Sequence, residues 1–194
     1  MEKIYTNSFG QRHRDDGLPA YEHGGDGSKE WWVNGKLHRD GDLPAIEWGD
    51  GDKSWWVRGK LHREGGLPAV VENRCKQWWV NGKLHHDNDL PATEYANESR
   101  EWWVNGKLHR EGGLPAVELG DYKVWWLNGR ELSEEQGLAY FTFCKKIQEK
   151  NRIRAQKKIY FWWIQICYDL EHKSGCGQRM AQRNLKVFES MMKI

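Results

Sequence analysis

The stretch WWVNGKLHREGGLPAV, residues 102–117, decides how this chain is read, because it occurs four times with few changes. The other copies start at Trp31, Trp55 and Trp78. From the first Trp to the Ala of Pro-Ala the spacing is constant, at 31–45, 55–69, 78–92 and 102–116. A headless copy runs from Phe9 through His13 and Arg14 to Pro19-Ala20, and a truncated one from Trp125 to Arg130. About six copies at a period of 23–25 residues mark a repeat array, in which each unit buries apolar surface against the next.

Within the block, Asn34-Gly35 follows a Trp-Trp-Val strand signal, and Asn81-Gly82, Asn105-Gly106 and Asn128-Gly129 repeat it. Asn-Gly is the favoured pair of a two-residue type I′ hairpin turn, since both positions need positive φ. Arg58-Gly59 is the weaker version. This turn predicts a register in which Val33 faces Lys36, Trp32 faces Leu37 and Trp31 faces His38. Alternation then puts Trp32 and Leu37 on one side of the sheet, and Trp31 and His38 on the other. Leu-Pro-Ala-x-Glu reads as a further short strand, its Pro tolerable at the start. The segments joining the blocks are 8 to 10 residues long and rich in Gly, Asp and Asn, as exposed turns are. The expectation is a mainly β fold, an elongated antiparallel sheet with roughly one hairpin per repeat. In the first copy Thr6 and Asn7 stand at the Trp-Trp position, which suits an outer edge.

The pattern changes after Leu132. Residues 1–132 hold 18 basic and 22 acidic groups, net −4, whereas residues 133–194 hold 12 and 6, net +6. A boundary between a β-array of residues 1–132 and a basic helical domain of residues 133–194 follows. Ser133 to Gln136 forms a capping box. A first helix starts there, a second is predicted from Arg154 to about His172, and a third from Gln178 to Met192. A helical tail of this kind can cover the last strand of the array.

No signal-peptide pattern opens the sequence, and its most apolar run, Ile159 to Tyr168, is about half of a membrane-spanning length. Cys75, Cys144, Cys167 and Cys176 lack CxxC spacing and fall outside the repeated block. These features predict an intracellular protein in a reducing compartment.

The block Trp-x-x-Gly-Lys-x-His, as in Trp32, Gly35, Lys36 and His38, resembles the MORN repeat, and Asp26-Gly27 and Asp50-Gly51 match the end of that pattern. The resemblance covers residues 5–132 and implies short β-hairpins forming an extended sheet. It also implies a role in scaffolding and protein–protein contact, or in contact with membrane lipid. The chain departs from the pattern after the histidine, where Arg39, Arg63, His86 and Arg110 replace Gly, and in carrying Leu-Pro-Ala. That variant is similar to repeat proteins abundant in giant DNA viruses of amoebae, which would place it in a host cytoplasm or virion.

The histidine ladder His13, His38, His62, His85 and His109 is the most regular chemical feature. With two strands per repeat its members stand roughly 9–10 Å apart, too far to share a metal ion or a proton. A cross-strand contact with Trp is the structural role expected of them. Cys167, His172 and Cys176 lack a fourth zinc ligand nearby. No nucleophile–base pair, phosphate-binding loop or metal motif emerges, so neither an enzyme nor a cofactor is expected. The row Trp32, Trp56, Trp79, Trp103 and Trp126 is expected in the core. Trp31, Trp55, Trp78 and Trp102, with His38, His62, His85 and His109, are then expected on an outer face that binds a protein partner. The alternative is binding of nucleic acid or an anionic membrane surface by Lys145, Lys146, Lys150, Arg152, Arg154, Lys157 and Lys158. The unprotected first repeat also leaves a homodimer open.

Overall fold

The computed structural model of the chain describes residues 1–172. The predicted third helix, Gln178 to Met192, lies outside them. The chain falls into two compact units, residues 1–141 and 142–194, so the first turns of the helix after Leu132 group with the array.

The array is built from two hairpins per repeat, where one was expected. The first hairpin pairs the strand after Pro-Ala with the strand before Trp-Trp. Examples are Tyr21–Glu22 with Lys29–Glu30, Ile46–Glu47 with Lys53–Ser54, and Val70–Val71 with Cys75–Gln77. Thr93–Tyr95 with Arg100–Glu101 and Val117–Leu119 with Tyr122–Leu127 complete the series. Together with Lys3–Ile4 at one edge and Arg130–Leu132 at the other, these strands form a twelve-stranded antiparallel sheet. The elastic joints are therefore the turns of the main sheet, which explains why their length varies while the block stays constant.

The second hairpin is the one read from Asn-Gly. Trp32–Val33 pairs with Lys36–Leu37 in the expected register, Trp32 opposite Leu37 and Val33 opposite Lys36. Trp56, Trp79 and Trp103 repeat it against Leu61, Leu84 and Leu108. Asn34 (φ 49°) and Gly35 (φ 72°) have the type I′ signs, and Arg58 is forced to φ 50° at the same place. Four of these hairpins are separate two-stranded sheets. Each turn glycine donates its N–H to a carbonyl of the hairpin before it: Gly35 to Arg12, Gly59 to Leu37, Gly82 to Leu61, Gly106 to Leu84 and Gly129 to Leu108, at 2.8–2.9 Å. The stems of Lys36, Lys60, Lys83 and Lys107 lie over the last four of those glycines.

Where the two hairpins meet, the backbone is drawn tight. Trp31 N–H reaches Ala45 O and Ala45 N–H reaches Ser54 O, at 2.8 and 2.9 Å. Ala20, Ala45, Ala69, Ala92 and Ala116 are all completely buried. In the first copy Tyr5 stands in the role of the first Trp: its N–H bonds Ala20 O, and its carbonyl accepts from His13. The turn between Thr6 and Arg12 is one residue longer than its counterparts. Counting back from His13 therefore misplaced the Trp-Trp position, which is Tyr5-Thr6 and not Thr6-Asn7.

A single helix, α1, spans Glu134–His172. Its N-terminal box is formed, with Ser133 N–H bonded to Gln136 Oε1 and Gln136 N–H to Ser133 Oγ. The expected break before Arg154 is absent: no Gly or Pro interrupts 138–172, and the residues there sustain helical hydrogen bonding throughout. No helix of the described residues is long and apolar enough to cross a membrane.

Candidate interaction surface

The tryptophan row expected outside is the more deeply buried of the two. Trp31, Trp55 and Trp102 are only 4–8 % exposed, and Trp78 is half-buried; Trp32, Trp56, Trp79 and Trp103 are half-buried as well. The reason is a clamp built from residues of two successive repeats. The indole N–H of Trp31, Trp55, Trp78 and Trp102 donates to the bend of the preceding repeat, at Gly17 O, Asp42 O, Gly66 O and Asp89 O, over 2.9–3.0 Å. A cation from the same repeat then closes over the ring. Arg39, Arg63 and Arg110 place Cζ 3.6, 3.8 and 3.7 Å from the ring centres of Trp31, Trp55 and Trp102. The same guanidinium donates to a proline carbonyl, Pro44, Pro68 or Pro115. His86 performs both tasks in the third full copy, stacked on Trp78 at 4.9 Å with Nδ1 bonded to Pro91 O. Arg after His, where the resemblance led one to expect Gly, is thus the lid of each tryptophan.

The histidine ladder is equally internal. Nε2 of His13, His38, His62, His85 and His109 meets a carboxylate two residues on, at Asp15, Asp40, Glu64, Asp87 and Glu111, over 2.7–3.4 Å. The backbone N–H of Asn34, Asn81 and Asn105, each in the turn of the following repeat, donates to Nδ1 of His13, His62 and His85. Nδ1 therefore accepts, and the ring proton sits on Nε2, facing the carboxylate. Nδ1 of His38 and His109 is buried without a hydrogen-bond partner among the described residues. Trp and His are joined through backbone, His38 N–H to Trp31 O, so the expected cross-strand pairing holds while the side chains serve the repeat-to-repeat joint. His109 is buried, and His38, His62 and His85 are half-buried. The outer face proposed from sequence is therefore mainly an interior.

What remains outside is the bend between His and Pro. In successive repeats it exposes Leu18, Leu43, Leu67 and Leu90 to 46–50 % of their surface. On the same bends the carboxylates of Asp15, Asp40, Glu64 and Asp87 are 80–96 % exposed, and among the described residues each has only its histidine as partner. This ridge of leucine flanked by acid is repeated four times. The sequence signal for it was present, in Leu-Pro-Ala and in the acid two residues after every ladder histidine. At the fifth bend Leu114 is half-buried and Gly113 buried, because α1 lies there. A β-carbon on Gly113 would meet the backbone of Phe141 at 2.6 Å.

Reactive chemistry is weak elsewhere on the array. A concavity of about 220 Å³ beside Cys75 includes Glu72, Glu94 and Tyr95. Burial pushes the Cys75 thiol up to about 11, helped by Glu72, which accepts its hydrogen at 3.4 Å. Cys75 is a thiol rather than a nucleophilic thiolate. Burial and Glu101 raise Tyr95 to about 12. Among the described residues no group of three or more His, Cys, Asp or Glu is placed to hold a metal ion.

The basic residues of the tail lie along α1. Lys145, Lys146, Lys150, Arg154 and Lys157 line one shallow concavity with Glu149 and Ile153. Arg152 turns instead to Glu149, with two bonds of 2.8 Å, and Lys158 is exposed beside them. Set against known proteins, the chain matches no family model, no curated protein and no solved structure.

Proposed function

We propose that this chain is a non-enzymatic interaction scaffold of MORN-like repeats, and that it binds a protein partner along the ridge of Leu18, Leu43, Leu67 and Leu90. The observation that carries this reading is the fourfold repetition of a half-exposed leucine beside a nearly fully exposed carboxylate. Apolar side chains at equivalent places in successive repeats form a contiguous target, and the acids around them select a partner by charge. The ladder histidines favour the non-enzymatic reading. In three of them both ring nitrogens are already engaged by the protein, so they build the array rather than transfer protons.

Affinity capture with full-length protein tests the reading. Leu43→Asp with Leu67→Asp is expected to abolish capture while thermal unfolding stays near wild type. A control pair on the other hairpins, Val57→Asp with Val80→Asp, is expected to retain it. Equal capture by both variants would overturn the proposal.

A second reading rests on the alignment of Lys146, Lys150, Arg154 and Lys157 along α1, which suits phosphate-rich partners. Binding of that kind falls steeply with salt, and salt-resistant capture would count against it.

A further inference from the structure

We infer that the occupant of the leucine–acid ridge is a basic, aromatic helix, and that α1 of a second copy of this chain supplies it. The inference rests on the proposed role of the ridge, and three observations lead to it.

The fifth bend already shows how a helix sits on such a rung. There the backbone of α1 at Tyr140 and Phe141 comes down onto Gly113, close enough to leave no room for a side chain. The ridge of open rungs, Leu90 back to Leu18, continues from this seat along the array. Among the described residues this contact between a rung and α1 exists once, and glycine stands at the place of Gly113 in two of the open rungs, at Gly17 and Gly66, with Asp42 and Asp89 in the others.

The charges match. The array carries net −4, with the ridge carboxylates among its most exposed acids, and the segment after it carries net +6. Like-charged surfaces would separate two copies at this contact, whereas these attract.

The spacing also matches. Phe143, Ile147, Lys150, Arg154 and Phe161 fall at i, i+4, i+7, i+11 and i+18 of α1, along one side of the helix. Phe143, Ile147 and Phe161 are 59, 41 and 69 % exposed, so large apolar surface stands open there beside two cations. Seven residues of helix rise roughly 10.5 Å, and one repeat of the array advances roughly 9–10 Å, two strand spacings. Successive heptads of that side therefore advance in step with successive rungs, and they alternate in character, Phe143 with Ile147 in one and Lys150 with Arg154 in the next, as leucine and acid alternate along the ridge. Two copies can satisfy both contacts at once in a two-fold dimer.

The test is a charge exchange in full-length protein, read by sedimentation across a range of concentrations. The ridge variant is Asp40→Lys with Glu64→Lys, and the helix variant is Lys150→Glu with Arg154→Glu. Wild type is expected to associate in a concentration-dependent way, and each variant alone to associate at least tenfold more weakly. An equimolar mixture of the two is expected to recover association, because the basic ridge of one then faces the acidic helix of the other. Misfolded variants could not rescue each other, so recovery separates the inference from simple damage. Wild type that stays monomeric, or association that neither variant changes, overturns it. If wild type is monomeric while Leu43→Asp with Leu67→Asp still abolishes partner capture, the ridge reading stands and only the second-copy occupant fails.

Discussion

Gly137 of α1 lies flat against the indole of Trp125, and a β-carbon there would overlap the ring. Trp125 is the last tryptophan of its row, and the lid position that Arg39, Arg63 and Arg110 fill in earlier repeats falls at Ser133 in its copy. The helix takes over as lid, and its contact works only without a side chain. Gly137→Ala puts a β-carbon inside contact distance of the ring, an overpacking cost at the upper end of about 1–3 kcal/mol, so a net destabilisation is expected. The overpacking cost exceeds the roughly 1 kcal/mol that Ala gains over Gly inside a helix. Denaturant unfolding checks the sign. A stabilised Gly137→Ala would show that α1 does not seat on Trp125.

Burial of the first tryptophan row makes a sharp contrast with the ridge. Trp55 is 8 % exposed, bonded to Asp42 O and covered by Arg63. Trp55→Ala should cost about 3–5 kcal/mol and broaden or abolish cooperative unfolding. Leu67, two residues before fully buried Ala69, is 46 % exposed, and Leu67→Ala should fall within about 0.5 kcal/mol of wild type. The pair can be compared by thermal and urea melts of the same preparation.

How far the fold was legible follows from the same residues. Asn-Gly fixed the hairpin register because its turn type admits one pairing, and the structure shows Trp32 opposite Leu37 as read. Alternation also separated the two tryptophan rows correctly. It could not say which row is covered, since the burial depends on an arginine or histidine lid from the same repeat together with an indole acceptor in the bend of the preceding one, 12 to 14 residues away. The first hairpin of each repeat, the one in the twelve-stranded sheet, was hidden because its turns vary in length and carry no constant Asn-Gly. The ridge was visible as a pattern, yet the tryptophans drew attention because large aromatic side chains dominate any reading of apolar surface. The continuous α1 was missed by expecting a break where the sequence offers none.

Arg58 occupies the first turn position at φ 50°, where the other full copies have Asn. A left-handed conformation costs an ordinary side chain more than it costs Asn, whose short amide tolerates it. Arg58→Asn is expected to raise stability by about 1 kcal/mol, without altering the ridge. A shift of the urea midpoint upward at unchanged slope is the result to look for, and no shift would mean that Arg58 gains compensating contacts.

Asp42 ties two repeats together, and the tie is acid-sensitive. Its two carboxylate oxygens accept from Nε and Nη2 of Arg63, both at 2.9 Å. Those bonds hold the carboxyl below its ordinary value, against a smaller opposing effect of burial. A depressed folded-state value means that the stabilisation is complete above the unfolded aspartate range, near about 4. It is lost as pH falls through the lower folded value. Asp42→Asn removes this contribution while keeping the size of the side chain. The stability gap between wild type and Asp42→Asn should therefore be largest at neutral pH and close progressively below about pH 4. The pair is exposed, so added salt should narrow the gap at neutral pH as well. Chemical denaturation of both proteins from pH 7 to pH 3 measures it. A gap that stays constant across that range would show that the Arg63 contact contributes nothing to the joint between repeats.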